Sequence, residues 1–546
     1  MPATVPALLA RTVARVPDLP ALVDGEVRLT WSELGHRVDL VARSLIALGV
    51  ERGDRVMLLG PNDHRWIEAS LGALSIGAVV VPVNTRYSGF EVLDLVERTR
   101  TKVLLTVASF VGHAYLSDIR TAALAEHGSP GTDDRGPVPG VPGLAAVVEW
   151  DAHPESGRDA HEQVLDWERF LALADRVPAS TAAQRGTEVS GDDPADIVFT
   201  SGTTGRSKGA VSLQSHTVGC ALAWAENVRV TDEDNYLIVS PFAHTFGYKA
   251  GLLVCVATGA TMLPMATFDT ARALRVVREQ RITVLPGPPT IFQMILDHPD
   301  RPAPSAWAWR VAVTGAATVP MRLVERMHEE LGLEAVVTGY GLSEAVTVTM
   351  TAYDDPPARV VSTAGRPIAE FELRIRDEQG RVLAAGQSGE VEVRGPHVMV
   401  GYLDDPEATA AAIDDEGWLR TGDIGLVSAD GYLTITDRIK DMFTVGGFNV
   451  YPAELEHVLS RLPGVAESCV IGVPDERLGS VGKVFVIRTA DSGLTAEEVT
   501  RFLSGRVANF KVPRRVEFVD DLPRNHGGKV LKRLLIEAES SGSVSS

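Results

Sequence analysis

Residues 196–209 read Asp-Ile-Val-Phe-Thr-Ser-Gly-Thr-Thr-Gly-Arg-Ser-Lys-Gly, a β-branched and aromatic run that enters a string of glycines, hydroxyls and one lysine. The first five residues are strand chemistry, and the rest is loop chemistry. Glycines let successive backbone N–H groups turn towards one point, Ser and Thr hydroxyls add donors, and Lys208 adds charge, a set that suits phosphate oxygens. It is not a P-loop, which closes on Gly-Lys-Ser/Thr, because Ser207-Lys208-Gly209 breaks that order.

Outward from this loop the chain repeats one texture. Short β-branched runs at 55–59, 78–83, 102–106, 261–264, 283–286, 311–314 and 335–338 alternate with helical stretches such as 32–48 and 90–98. Strand–helix alternation predicts an α/β fold of parallel-type sheets covered by helices. From about residue 362 the pattern changes to short alternating strands with Gly-rich turns, at 371–376, 389–394 and 432–436, which predicts a small β-rich subdomain. A third texture begins near 440, with helices expected at 452–461 and 495–508 and strands at 467–471 and 483–488. The domain expectation is therefore a large N-terminal domain over 1–437, including the β-rich part, and an α+β C-terminal domain over 440–546. The Pro/Gly-rich segment 127–143 reads as an exposed loop and 540–546 as a disordered tail.

With 546 residues the chain is too long for one core. A hydrophobic share of 45% and a charged share of 23% are those of an ordinary globular protein, and the net charge of −20 argues against nucleic acid as a partner. The segment 501–536 departs from that average, with nine Lys and Arg against three Asp and Glu, and marks a local basic site. Cys220, Cys255 and Cys469 have neither metal-ligand spacing nor the density of a disulfide framework, which fits a reducing compartment. The N-terminus, broken by Arg11 and Arg15, reads as an amphipathic helix rather than a signal peptide. The longest apolar stretch, 71–83, is too short to span a bilayer, so no transmembrane segment is expected and the default location is the cytoplasm.

Further motifs follow the loop in order. They are Thr338-Gly-Tyr-Gly-Leu-Ser-Glu344, Trp418-Leu-Arg-Thr-Gly-Asp423, Asp437-Arg-Ile-Lys-Asp441, Gly446-Gly-Phe-Asn-Val-Tyr-Pro452 and Gly528-Lys529. Together with the loop they resemble, over essentially the whole chain, the adenylate-forming superfamily of acyl-CoA synthetases, adenylation domains and luciferases. The resemblance implies attack of a carboxylate on the α-phosphate of ATP, with pyrophosphate released, followed by transfer of the acyl group to CoA. It implies ATP and AMP contacts from Thr200, Ser201, Gly202, Thr203, Thr204, Lys208, Ala316, Thr338, Gly339, Tyr340 and Ser343. Asp423 would accept both ribose hydroxyls, which suits a carboxylate, and Arg438 would contact ribose and phosphate. Glu344 would be the protein ligand of Mg²⁺, and Lys529 would bridge carboxylate and α-phosphate. Lys440 would be the hinge (438–440) of a mobile C-terminal domain, and Gly446 and Gly447 would line the CoA tunnel, although Gly-Gly also suits a plain hairpin turn. Three positions depart from the usual pattern: Ser343 stands for Thr, Asp437 for Gly, and Thr444 for Lys.

Pro241-Phe-Ala-His-Thr-Phe-Gly-Tyr-Lys249 is similar to the segment flanking the acyl pocket, with His244 as gate and Phe242, Phe246, Tyr248 and Lys249 as pocket candidates. Lys249 would pair with a polar group of the acid or snorkel to water. The runs 246–251, 281–290, 312–320 and 446–454 most resemble the actinobacterial steroid-breakdown branch of the family. That branch implies a keto-bearing bicyclic propanoate, HIP, as the acid. Medium-chain, long-chain or aromatic acids, or a stand-alone adenylation enzyme for a carrier protein, remain alternatives, and a homodimer is compatible with the resemblance.

Overall fold

The computed structural model describes residues 3–128, 136–151, 163–200, 206–315, 319, 321–377, 379–438, 443–450, 452–459, 461–489, 492–523, 530 and 532–540. Two large sheets form the body. The eight-stranded sheet runs edge to edge as Gly401–Tyr402, Lys208–Leu213, Pro194–Thr200, Val79–Pro82, Arg55–Leu59, Val103–Thr106, Ala146–Glu149 and Val164–Asp166. The nine-stranded sheet runs Arg366–Pro367, Thr349–Met350, Ala335–Tyr340, Val311–Gly315, Val284–Pro286, Asn235–Ile238, Thr261–Pro264, Pro20–Asp24 and Val27–Thr30. Their interiors are parallel and their outer strands antiparallel, except that the edge strand Val164–Asp166 is also parallel. Parallel strands are covered on both faces, which is why Val79–Pro82, Val103–Thr106 and Val311–Gly315 are buried along their whole length and read as continuous apolar runs.

The N-terminal helix Val5–Arg15 is capped by Thr4 and buries Val5, Leu8, Leu9 and Thr12, as its amphipathic pattern requires. It packs with the helices Trp31–Ala47 and His64–Ser75 into one core shared by the two sheets. The β-rich part is a four-stranded antiparallel sheet of Glu372–Arg376, Gly389–Arg394, Leu419–Val427 and Leu433–Arg438, with its own cluster of Phe371, Ile375, Val391, Val393, Leu419 and Leu433. The C-terminal unit has a five-stranded sheet and a separate core that includes Val450, Leu455, Val470, Val484 and Leu503.

The strands of the body lie within a residue or two of their expected places. Three C-terminal elements differ, the first being the strand expected at 483–488, which begins at Gly479. The expected strand at 467–471 extends to Val465–Asp475, because it pairs along its length with Gly479–Arg488. The expected helix to 508 stops at Ser504, where Gly505 caps it, and the chain re-forms a short 3₁₀ turn at Asn509–Lys511. Among the described residues no helix is long and apolar enough to cross a membrane. All three cysteines are free and buried.

Candidate active site

The segment read as a phosphate loop lies between two paired strands. Strand Pro194–Thr200 returns antiparallel as Lys208–Leu213, with Thr200 opposite Lys208 and Phe199 opposite Gly209. Gly209 is required by packing, since a β-carbon there would sit 2.7 Å from Ile197 Cγ2 and 3.0 Å from the Phe199 ring. Ser201, Gly202, Thr203, Thr204, Ala316, Lys440 and Lys529 lie outside the described residues. Thr200 itself stands at the carboxyl end of a strand that runs parallel to Val79–Pro82. Open α/β sheets bind ligands at that end.

Thr338, Gly339 and Tyr340 end the strand Ala335–Tyr340, which runs parallel to Val311–Gly315. The chain then turns sharply, and a β-carbon on Gly341 would fall 1.9 Å from Val346 O. That turn projects Ser343 and Glu344. Glu344 Oε1 accepts from Tyr402 Oη at 2.8 Å, and the Lys208 ammonium lies 5.0 Å from the centre of the same Tyr402 ring. Tyr402 therefore joins the loop's lysine to the acidic residue. Asp423 is buried on Leu419–Val427 and accepts from Tyr340 Oη at 2.6 Å, with Arg438 opposite it in the neighbouring strand. Lys208, Tyr340, Glu344, Asp423 and the backbone of Arg438 are thus drawn from four segments into linked positions around one end of the sheets.

The acyl segment is pinned from the other sheet. Asn62 is buried and spends its whole amide here, with Nδ2 donating to Ser240 O at 2.8 Å and Ile238 O at 3.3 Å, and Oδ1 accepting from Phe242 N at 2.7 Å. Phe242 packs on Trp66 with ring centres 4.8 Å apart, and Trp66 meets Tyr248 edge-on at 5.6 Å. His244 caps the turn Thr245–Gly247 through Nδ1, which accepts from Phe246 N. His244 is an exposed residue, and desolvation by the neighbouring protein holds its pKa below the usual histidine value. Phe246 is half-buried against Trp224.

Lys249 corrects the expectation that it faces the acid. It is 1% exposed and its Nζ lies 2.9 Å from Asp196 Oδ1 and 2.8 Å from Ser212 Oγ. Thr217 Oγ1 donates to the other Asp196 oxygen at 2.9 Å. A buried ammonium already held by a buried carboxylate is neither free for a substrate ketone nor able to snorkel. The pair instead ties the acyl segment to the strand that feeds the phosphate loop.

Gly446 and Gly447 form the two-residue turn between Phe443–Val445 and Phe448–Val450, with φ of +56° and +85°. Two consecutive positive φ values are the type I′ hairpin geometry, which explains the pair of glycines, and the turn is exposed. Tyr402, Asn62 and Trp66 escaped the sequence reading, because their partners lie on segments distant in the chain.

Fold and site together define an AMP-binding enzyme. Residues 9–403 match the AMP-binding enzyme family and residues 454–529 match the AMP-binding enzyme C-terminal domain, and the chain belongs to that family. Within it the chain is an acyl-CoA synthetase. It is 50% identical over 537 residues, 98% of this chain and 99% of the other, to a 7a-methyl-1,5-dioxo-octahydro-indenyl propanoyl:CoA ligase of Rhodococcus jostii. It is 48% identical over 535 residues, 98% of each chain, to the ligase of the same name from Mycobacterium tuberculosis. Among solved structures, Bacillus subtilis o-succinylbenzoate CoA synthetase bound with its product analogue OSB-NCoA is similar at a TM-score of 0.78 with 25% identity, covering 98% of each chain. ATP-bound MatB from Rhodopseudomonas palustris gives 0.68 with 29% identity, covering 98% of this chain and 99% of the other. Identity runs the opposite way to TM-score, so the extra likeness to the first lies in three-dimensional arrangement.

Proposed function

We propose that this chain joins CoA to HIP, the bicyclic diketo-propanoate named in its two relatives, through an acyl-adenylate, releasing pyrophosphate and AMP. The observation that carries the reading is the near full-length identity with ligases of that acid.

In the first half-reaction the acid carboxylate attacks the α-phosphate. The loop 200–208 holds the departing pyrophosphate, Asp423 holds the ribose hydroxyls, and Arg438 and Lys529 balance the negative charge of the two reactants. Ala316, Thr338, Gly339, Tyr340 and Ser343 frame the nucleotide, and His244 gates the acid. Glu344 suits Mg²⁺, with a carboxylate held in place by Tyr402. Among the described residues no group of three or more His, Cys, Asp or Glu gathers to cage a metal, so the ion would take its other oxygens from phosphate and water. Bound there, it would neutralise phosphate charge. The second half-reaction is assigned to the C-terminal unit, residues 440–546, turning at Lys440 and bringing Gly446 and Gly447 to the CoA thiol arm.

A CoA-ligation assay over short, long-chain, aromatic and HIP acids tests the substrate, and HIP should give the highest kcat/KM. A higher value for any other class removes HIP. Lys529→Ala should abolish pyrophosphate release yet still form thioester from pre-made HIP-adenylate; survival of both halves would show that Lys529 does not bridge the reactants.

A further inference from the structure

Lys511 is 3% exposed, although it lies where the C-terminal unit meets the body. Its Nζ is 2.9 Å from Glu91 Oε1, on the body helix Gly89–Arg98, and 2.7 Å from Glu454 Oε1, on the C-terminal helix Pro452–Leu459. The Tyr87 ring lies 4.4 Å from the ammonium. Burial alone would strip its proton, but the two carboxylates outweigh burial and hold the charge. Glu454 is raised by burial first and also by the charge of Glu91, so without the lysine the two carboxylates repel across the joint.

Glu91 has a second duty. Its Oε2 accepts from Ser88 N at 2.8 Å, completing a capping box at the start of the body helix. The single Ser88 hydroxyl hydrogen is placed to go either to Glu91 Oε2 at 3.0 Å or across the joint to Arg506 O at 2.9 Å. On the same ledge the Arg86 guanidinium covers the Phe448 ring at 5.0 Å, and Phe448 stacks on Phe510 at 4.7 Å. Phe448 directly follows the Gly446–Gly447 turn. Whatever seats Lys511 on Glu91 therefore also sets where that turn lies over the body.

We propose that Glu91 and Lys511 are positioning residues of the thioester-forming half-reaction: Lys511, carried on Glu454, plugs into Glu91 and holds the Gly446–Gly447 turn over the body. This rests on the ligase reading above, in which adenylation uses the other placement of the C-terminal unit. The contact is absent when the unit turns away, so its loss withdraws stabilisation from one arrangement and not the other.

Glu91→Gln is the clean variant, because Gln also completes a capping box while the charge is removed. Pyrophosphate release without CoA should stay within about twofold of wild type, the unfolding temperature should be unchanged, and thioester formation from pre-made HIP-adenylate and CoA should fall about tenfold. Lys511→Met should slow that step further by leaving two carboxylates face to face, and adding Glu91→Gln to it should restore part of the rate. Equal slowing of both half-reactions by Glu91→Gln, or none, overturns the proposal, as does a double variant no faster than Lys511→Met. A wild-type protein that makes no thioester from HIP-adenylate overturns the ligase reading and this inference together, so the wild-type rate separates the two failures.

Discussion

Lys249 and Lys511 are buried almost equally, 1% and 3% exposed, and each ammonium sits within 2.9 Å of a carboxylate. A buried charge needs such partners, because hydration is lost and only opposite charge and hydrogen bonds replace it. The difference lies in who owns the partners. Those of Lys249, Asp196 and Ser212, belong to the same hairpin of the body, and Thr217 secures Asp196 from a neighbouring helix. Those of Lys511 are divided between two units. One buried lysine thus holds a fold together, and the other expresses a preference between placements of folded parts.

The largest expected effect breaks the first of these. Lys249→Met leaves Asp196 buried and unpaired and should cost the body about 3–5 kcal/mol in denaturant unfolding. Lys511→Met should leave the body's transition nearly in place, since Glu91 regains water when the unit undocks; an equal loss would end the distinction. Acid should strike the same region of the body. His397 is held down to about 4 by burial, then by the charges of His216 and Lys249. Between pH 6.5 and 4 the unfolded chain therefore takes up a proton that the folded chain refuses, and stability present above 6.5 is lost as pH falls. His397's share of that loss should be about 3 kcal/mol, and His397→Gln should make a pH series of unfolding curves shallower by that share, leaving the share of His216, which burial also lowers to about 4. The smallest effect compares two helix caps. Ser88→Ala and Thr30→Ala each remove the N-cap of a capping box and should each cost about 1 kcal/mol. Only Ser88→Ala should also slow thioester formation, and a matching slowdown in Thr30→Ala would detach that effect from the joint.

Much of this was legible in the chain because the signals are local. Continuous β-branched runs located inner strands such as Arg55–Leu59, Val79–Pro82 and Val311–Gly315, and the glycines and hydroxyls after Phe199 marked the loop at a strand end, whereas Val27–Thr30, Val164–Asp166 and Gly401–Tyr402 were not among the expected strands. Glu344 and Asp423 were singled out by their own motifs, and the structure pairs them with Tyr402 and Tyr340. What stayed hidden was pairing across sequence distance. A charged residue opening an otherwise apolar strand, Asp196, was a signal that a buried cation must exist, but nothing local said that Lys249 supplied it. Lys511 was counted in a basic segment, whereas the structure commits it to two carboxylates far up the chain. The two glycines at 446 and 447 show the opposite limit: turn geometry alone accounts for both, so the pair by itself says nothing about CoA.

The ledge at residues 86–91 has a kinetic consequence. The Arg86, Ser88 and Glu91 contacts, with the Tyr87 ring beside them, all fall within one short stretch at the head of one helix. Contacts so concentrated work like a ball in a socket rather than a zip: there is no row of bonds to open one after another. Release should therefore be a single activated event with one exponential phase, and the waiting time from thioester formation to the next adenylation would be set by how long one ammonium stays on Glu91.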